Sequence, residues 1–177
     1  MQTLGLQRAG AARSLAALLA ECDPDVAALA AIESGDALAL ATRFDRDWAF
    51  GAVSLLWKKT RFAASAAQER RGVLCVDAIH GGSAIALLAT HFSEGRERVR
   101  ELRSARALVR KIDGDALLFV AEPHGRLGFR DLGFDSAGEG EGAELVIATR
   151  GYGVESSSAP ATAPGLGAAL VVRTAKA

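Results

Sequence analysis

Two cysteines, one methionine, three histidines and a 6% aromatic share give this 177-residue chain little of the material from which many sites are built. Cys22 and Cys75 lie in apolar contexts without the spacing of a metal site or a disulfide framework, so cysteine cages are excluded and buried reduced thiols of a cytoplasmic protein are expected. Net charge is also missing. Lys plus Arg is 21 and Asp plus Glu is 21, so no global field draws in nucleic acid, an anionic membrane or an acidic substrate, and basic recognition must be local. No apolar run reaches the roughly 18 residues of a membrane span. The N-terminus lacks the ordered parts of a secretory signal. Hydrophobic residues, at 50%, are plentiful enough for one domain over residues 1–177 with a real core. Abundant alanine points to a GC-rich bacterial gene and thin packing layers, and it leaves room for a homo-oligomer interface without locating one.

Leu15, Leu18, Leu19 and Cys22 recur at the helical period, which predicts a helix from Gly10 to Glu21 that stops before Pro24. Asp25 to Ile32 is a continuous apolar run of strand length, suited to a strand buried on both faces. Ser34 and Asp36 offer N-caps to a short helix through Phe44. Short β-like runs follow at Trp48–Phe50, Val53–Trp57 and Val73–Ile79, separated by polar turns, and this block reads as antiparallel. His80-Gly81-Gly82-Ser83 is a hairpin turn leading into a strand from Ala84 to His91. Arg96 to Ile112 is the strongest helix, with Val99, Leu102, Ala105, Val109 and Ile112 on one side and Arg96, Arg100, Arg103, Arg106 and Arg110 on the other. A strand at Ala116–Ala121 precedes a Gly- and acid-rich loop from Glu122 to Gly142, with one helical turn near Arg130. Strands are expected at Leu145–Ala148, Gly153–Ser156 and Ala168–Val172, with a linker at Ser157–Pro164. Helices between buried strands, around an antiparallel block, make an α/β protein with mixed sheets covered by helices.

Five segments then follow one another in a telling order: Asp23-Pro-Asp-Val-Ala-Ala-Leu29, Arg71-Gly-Val-Leu-Cys-Val76, Ala89-Thr-His-Phe92, Arg98 with Glu101, and Leu117-Leu-Phe-Val120. The series resembles the endonuclease/exonuclease/phosphatase superfamily over nearly the whole chain. The resemblance implies a two-sheet mixed β-sandwich flanked by helices, the DNase-I-like four-layer architecture, in shortened form. It also implies phosphoester hydrolysis at loops on one end of the sandwich. There, acidic side chains hold Mg²⁺ or Mn²⁺, and an Asp-supported histidine with a second Asp and an Asn activates water.

Placed on this chain, the family's pattern loses most of its chemistry. The Asn of the first strand falls at Gly5, the metal-binding Glu at Ala31, and the terminal Ser-Asp-His at Gly165, Leu166 and Gly167. The Asp and Asn after the fourth motif strand fall at Glu122 and His124, and a late Asp falls near Glu144. Alanine and glycine neither ligate a metal nor move a proton. The expectation is therefore a degenerate, non-catalytic binding or scaffold domain that needs no cofactor.

The alternative is a remodelled metal-dependent phosphoesterase. Its metal ligands would be Glu33, Glu122 and Glu144, with Glu33 replacing Ala31's lost ligand from the same strand face, and its catalytic groups His91, Glu122 and His124. Arg98 and Glu101 turn toward the apolar side of their helix and read as a structural ion pair or loop anchor. A third reading is a nucleic-acid-binding module using Lys58, Lys59 and Arg61 beside Trp57, together with Arg70 and Arg71, although turn lysines are the commoner explanation. The remaining arginines of the long helix read as a solvated face, since Glu94 and Glu97 accompany them.

Overall fold

The computed structural model describes residues 1–6, 12–70, 72–92, 96–121, 133–139, 145–160 and 169–177. Its first half runs β1 (Gln2–Leu6), α1 (Ala12–Cys22), β2 (Val26–Ala30), α2 (Ser34–Arg43), β3 (Arg46–Ala49), β4 (Val53–Lys58), β5 (Phe62–Arg70) and β6 (Val73–His80). The second half runs β7 (Ser83–His91), α3 (Arg96–Val109), β8 (Asp115–Ala121), β9 (Asp135–Glu139), β10 (Leu145–Arg150), β11 (Tyr152–Ser158) and β12 (Ala169–Lys176). One sheet has the order β11-β12-β1-β2-β4-β3 and the other β5-β6-β7-β8-β10-β9. Each sheet contains one parallel pair bridged by a helix, β1-α1-β2 in the first and β7-α3-β8 in the second, and its other pairs are antiparallel.

Side-chain alternation divides the core into three layers. Val26, Ala28, Leu55 and Trp57 of the first sheet meet Val76, Leu87, Phe119 and Ile147 of the second in the central layer. On the outer face of the first sheet, Leu4, Leu6, Ala27 and Leu29 pack under Leu15 and Leu19 of α1 and Leu40 of α2. Cys75, Leu88 and Leu118 of the second sheet pack under Ala105 and Val109 of α3. The result is the helix-sheet-sheet-helix sandwich that the resemblance implies.

Several boundaries differ from the sequence reading, each for a physical reason. The strand expected to reach Ile32 ends at Ala30, because Ala31 takes a left-handed φ of 54° that breaks the pleat. Helix α2 has Glu33 at its N-cap without a side-chain cap hydrogen bond, in place of a Ser34 or Asp36 cap. The strand placed at Trp48–Phe50 is Arg46–Ala49. Strand β5 was invisible to pattern reading because Ala63 to Arg70 are all exposed; Phe62 anchors its start in the central core, and pairing to β6 holds the rest. Strand β9 lies inside the expected loop, and the helical turn near Arg130 falls outside the described residues. Helix α3 ends at Val109, three residues before Ile112. Strand β11 runs through Ser158 into the expected linker, and β12 continues to Lys176. The hairpin is as read: His80 pairs with Ser83 across Gly81 and Gly82, whose φ values of 58° and 82° demand glycine. Cys75 is buried and Cys22 only half-buried, both as free thiols. Among the described residues no helix is long and apolar enough to cross a membrane.

Candidate functional site at one end of the sandwich

Register fixes which strand tips share an end. Leu6 at the close of β1 pairs with Leu29 of β2 and with Ala169 at the start of β12. In the other sheet, Ala121 at the close of β8 pairs with His91 at the close of β7 and with Leu145 at the start of β10. The two sets face each other across the central layer. A Cβ built on Gly5 would stand 3.2 Å from both methyl carbons of Leu145 and 3.5 Å from Ile147 Cδ1. The tips of β2 and β8, which the resemblance makes the seat of the metal, therefore lie at the same end, in opposite sheets.

This end is apolar. Ala30, Ala121 and Leu145 are buried in the central core, and Gly5 lets Leu145 press against the backbone of β1. The Asn of the family pattern would stand at Gly5, where the Leu145 side chain already fills the space. Ala31, at the position of the metal-binding Glu, sits exposed in the turn after β2. Glu33 is exposed at the N-cap of α2, and with the strand broken at Ala31 no shared pleat carries it to Ala31's face. His91 closes β7 half-buried and is not without a partner. Arg98 and Glu101 are half-buried on α3, and each has a partner.

Glu122, His124, Glu144, Gly165, Leu166 and Gly167 lie outside the described residues. Among those described, no group of three His, Cys, Asp or Glu side chains stands close enough to hold a metal ion. The described groups of this end do not fit a Mg²⁺ or Mn²⁺ shell, since a hard cation needs oxygen ligands where Gly5 and Ala31 stand.

The opposite end carries the polar chemistry. Asp23 and Asp25, from the segment that resembles the family's second strand, face the cations of β3 and β4. Arg46 is 3% exposed; it donates to the carbonyl of Pro24 and, at 3.2 Å, to Asp23 Oδ1. Lys58 Nζ stands 2.8 Å from Asp23 and 3.5 Å from Asp25, and Arg61 Nε lies 3.7 Å from Asp25. Lys59 pairs with Asp45 at 3.0 Å, and Trp57 is buried in the central core. The basic cluster that suggested a nucleic-acid surface is thus met by carboxylates over Lys58, Lys59 and Arg61, and its aromatic residue is not available for stacking. Arg71 lies outside the described residues.

Two contacts clamp the sheets together at this end. The His80 ring of β6 stacks on Phe62 at 4.7 Å and lies 3.4 Å from the Tyr152 hydroxyl of β11. Burial first, then the N-terminal ammonium, pushes the His80 imidazole below its usual range against an opposing pull from Asp25. Lys176 of β12 bonds Ser83 of β7 at 2.6 Å and pairs with Asp115 at 3.3 Å. Sequence reading missed Arg46, His80, Tyr152 and Lys176. Each is isolated among unlike neighbours in the sequence, and only sheet pairing brings them together. Burial pushes the Cys75 thiol up to about 11, with nearby Asp77 adding to the rise, so this cysteine is inert at neutral pH.

No protein-family model and no curated protein matches the chain in sequence. Solved structures do match it in shape. TDP2 from D. rerio, complexed with a single-strand DNA product, superposes at a TM-score of 0.80 with 11% identity over 99% of both chains. The human Nocturnin catalytic domain with bound sulfate gives 0.77 and 12%, covering all of this chain and 94% of that one. An endonuclease/exonuclease/phosphatase family protein from Bacteroides thetaiotaomicron gives 0.76 and 9%, over 98% of this chain and 94% of the other. At such identities the likeness is one of fold: the chain folds as a DNase-I-like two-sheet sandwich.

Proposed function

We propose that the chain is a non-catalytic member of the endonuclease/exonuclease/phosphatase superfamily, acting as a binding or scaffold domain. The contact between Gly5 and Leu145 carries this reading. A Cβ at Gly5 would crowd the Leu145 methyls at 3.2 Å, so among the described residues hydrocarbon holds the space where the family's polar side chain would stand. Ala31 adds a second loss, because a methyl group cannot coordinate a cation. A shared fold does not supply the missing groups.

The second reading, a remodelled Mg²⁺- or Mn²⁺-dependent phosphoesterase, has one observation in its favour. Ala121 and Leu145 are register partners, and in the chain they are bonded to Glu122 and Glu144, two of the three carboxylates it calls on. Turnover separates the two. Incubated with Mn²⁺ or Mg²⁺ and a nitrophenyl phosphodiester, a nitrophenyl phosphomonoester or an oligonucleotide, the protein is expected to give no hydrolysis above the metal-only control. Metal-dependent hydrolysis that Glu122→Gln abolishes would overturn the first reading and establish the second.

A further inference from the structure

The arginines of α3 are a different population from the cations of β4. Arg100, Arg103, Arg106, Arg110 and Lys111 are all exposed, and among the described residues none of them forms an ion pair or a hydrogen bond with another side chain. Spacings of three and four residues set Arg100, Arg103 and Arg110 on one strip of the helix surface, with Lys111 beside it and Arg106 at its edge. The helical turn persists past Val109, where the Arg110 N–H bonds to the Arg106 carbonyl at 3.1 Å. Glu97 is the one exposed acid on α3 between Arg96 and Val109, and it lies a turn before the strip's centre. The opposite face of the helix is fixed, because Ala105 and Val109 are buried against β7 and β8, with Leu102, Leu108 and Ile112 packed beside them.

We propose that this α3 face is a docking surface for the phosphate backbone of duplex nucleic acid, distinct from the strand-tip end and independent of whether that end hydrolyses anything. Three features select the partner. Arginine outnumbers lysine four to one in the strip, and the planar guanidinium fork matches phosphate oxygens in two directions at once. Arg100 to Arg110 spans about 15 Å of helix axis, against which one strand of a duplex sets about four phosphates.

The third feature is what α3 does not offer. It carries no aromatic residue for stacking unpaired bases, as a single-strand surface would. Apart from Val99, which was expected on the apolar side but is exposed among the arginines, its apolar residues are committed to the sheet, and a single valine makes no face to insert into a lipid interface. Zero net charge over the whole chain is compatible with this, because the strip is a local excess of cations, while Asp23, Asp25 and Asp45 are paired with Arg46, Lys58, Lys59 and Arg61 elsewhere.

Fluorescence anisotropy with a short labelled duplex DNA tests the proposal. Binding in the micromolar range is expected at about 25 mM salt, and log affinity should fall against log salt with a slope of about −3 to −4, one counterion term per phosphate engaged. The triple variant Arg100→Gln, Arg103→Gln, Arg110→Gln alters exposed side chains only. It should keep the native circular-dichroism spectrum, weaken binding at least tenfold and flatten the slope by about 2 to 3. The paired Lys59→Gln variant should bind like the parent. Absence of binding at low salt overturns the proposal, as does binding that the triple variant leaves intact. Capture by phosphatidylserine vesicles with no affinity for the duplex would overturn it too, assigning the face to a membrane.

Discussion

At one end of the sandwich lie three polar groups, Asp23 and Asp25 with Arg46, Lys58 and Arg61, His80 with Tyr152, and Lys176 with Ser83 and Asp115; at the other, the described residues Gly5, Ala30, Ala121 and Leu145 meet as hydrocarbon. The contrast bears on two of the segments that carry the resemblance and on two positions that depart from it. Asp23 and Asp25 lie on the polar end, where they neutralise a buried guanidinium and tie β2 to β3 and β4. Their role belongs to the fold. The positions that depart, Gly5 and Ala31, lie at the other end, where side chains would serve chemistry and the sandwich closes without them.

Three substitutions test that division, from the largest effect down. Arg46→Ala removes the cation that satisfies the Pro24 carbonyl and Asp23, and it should cost about 3 kcal/mol, read as a lowered urea midpoint. A loss under about 0.5 kcal/mol, the level of a surface substitution, would show that these ion pairs do not secure β3 to the start of β2. Gly5→Asn should cost about 2 kcal/mol by overpacking against Leu145, and the penalty should fall by more than half in a Leu145→Ala background. Equal penalties in both backgrounds would mean that the two side chains do not compete for space.

The third is a matter of sign. An unfolded imidazole takes up a proton near its ordinary value of 6.5, whereas half-buried His80 does so only at lower pH. The unfolded state therefore binds more protons in this window, and folded stability should fall as pH drops through 6.5 toward the lower pH at which the half-buried ring also protonates. His80→Gln should flatten that part of the profile, and an unchanged slope would assign it to other groups.

How much of this was legible beforehand depends on whether a feature is local. Leu15, Leu18 and Leu19 announce α1, and the two glycines after His80 announce the hairpin, because periodicity and positive φ are written into neighbouring residues. Strand β5 was not readable. Its alanines and exposed polar residues carry no alternation, and only its pairing with β6 defines it. The candidate site divides the same way. The losses at Gly5 and Ala31 could be read from the resemblance, but that Leu145 fills the gap could not, since the two residues are 140 positions apart and in different sheets. The charges show a third case. Lys58, Lys59 and Arg61 looked like the basic surface in sequence because they are consecutive, and their partners Asp23, Asp25 and Asp45 come from other turns. The arginines of α3 looked ordinary because Glu97 sits among them, yet no described ion pair engages Arg100, Arg103 or Arg110.

The claim under all of this is that the strand-tip end has no metal shell, and Mn²⁺ binding measures it without assuming any substrate. Titrated with Mn²⁺ and followed by the electron paramagnetic resonance of the free ion, the protein should leave the same signal as its Glu122→Gln, Glu144→Gln variant. Stoichiometric loss of that signal, restored by the two substitutions, would contradict the account and put a working cation back between the sheets.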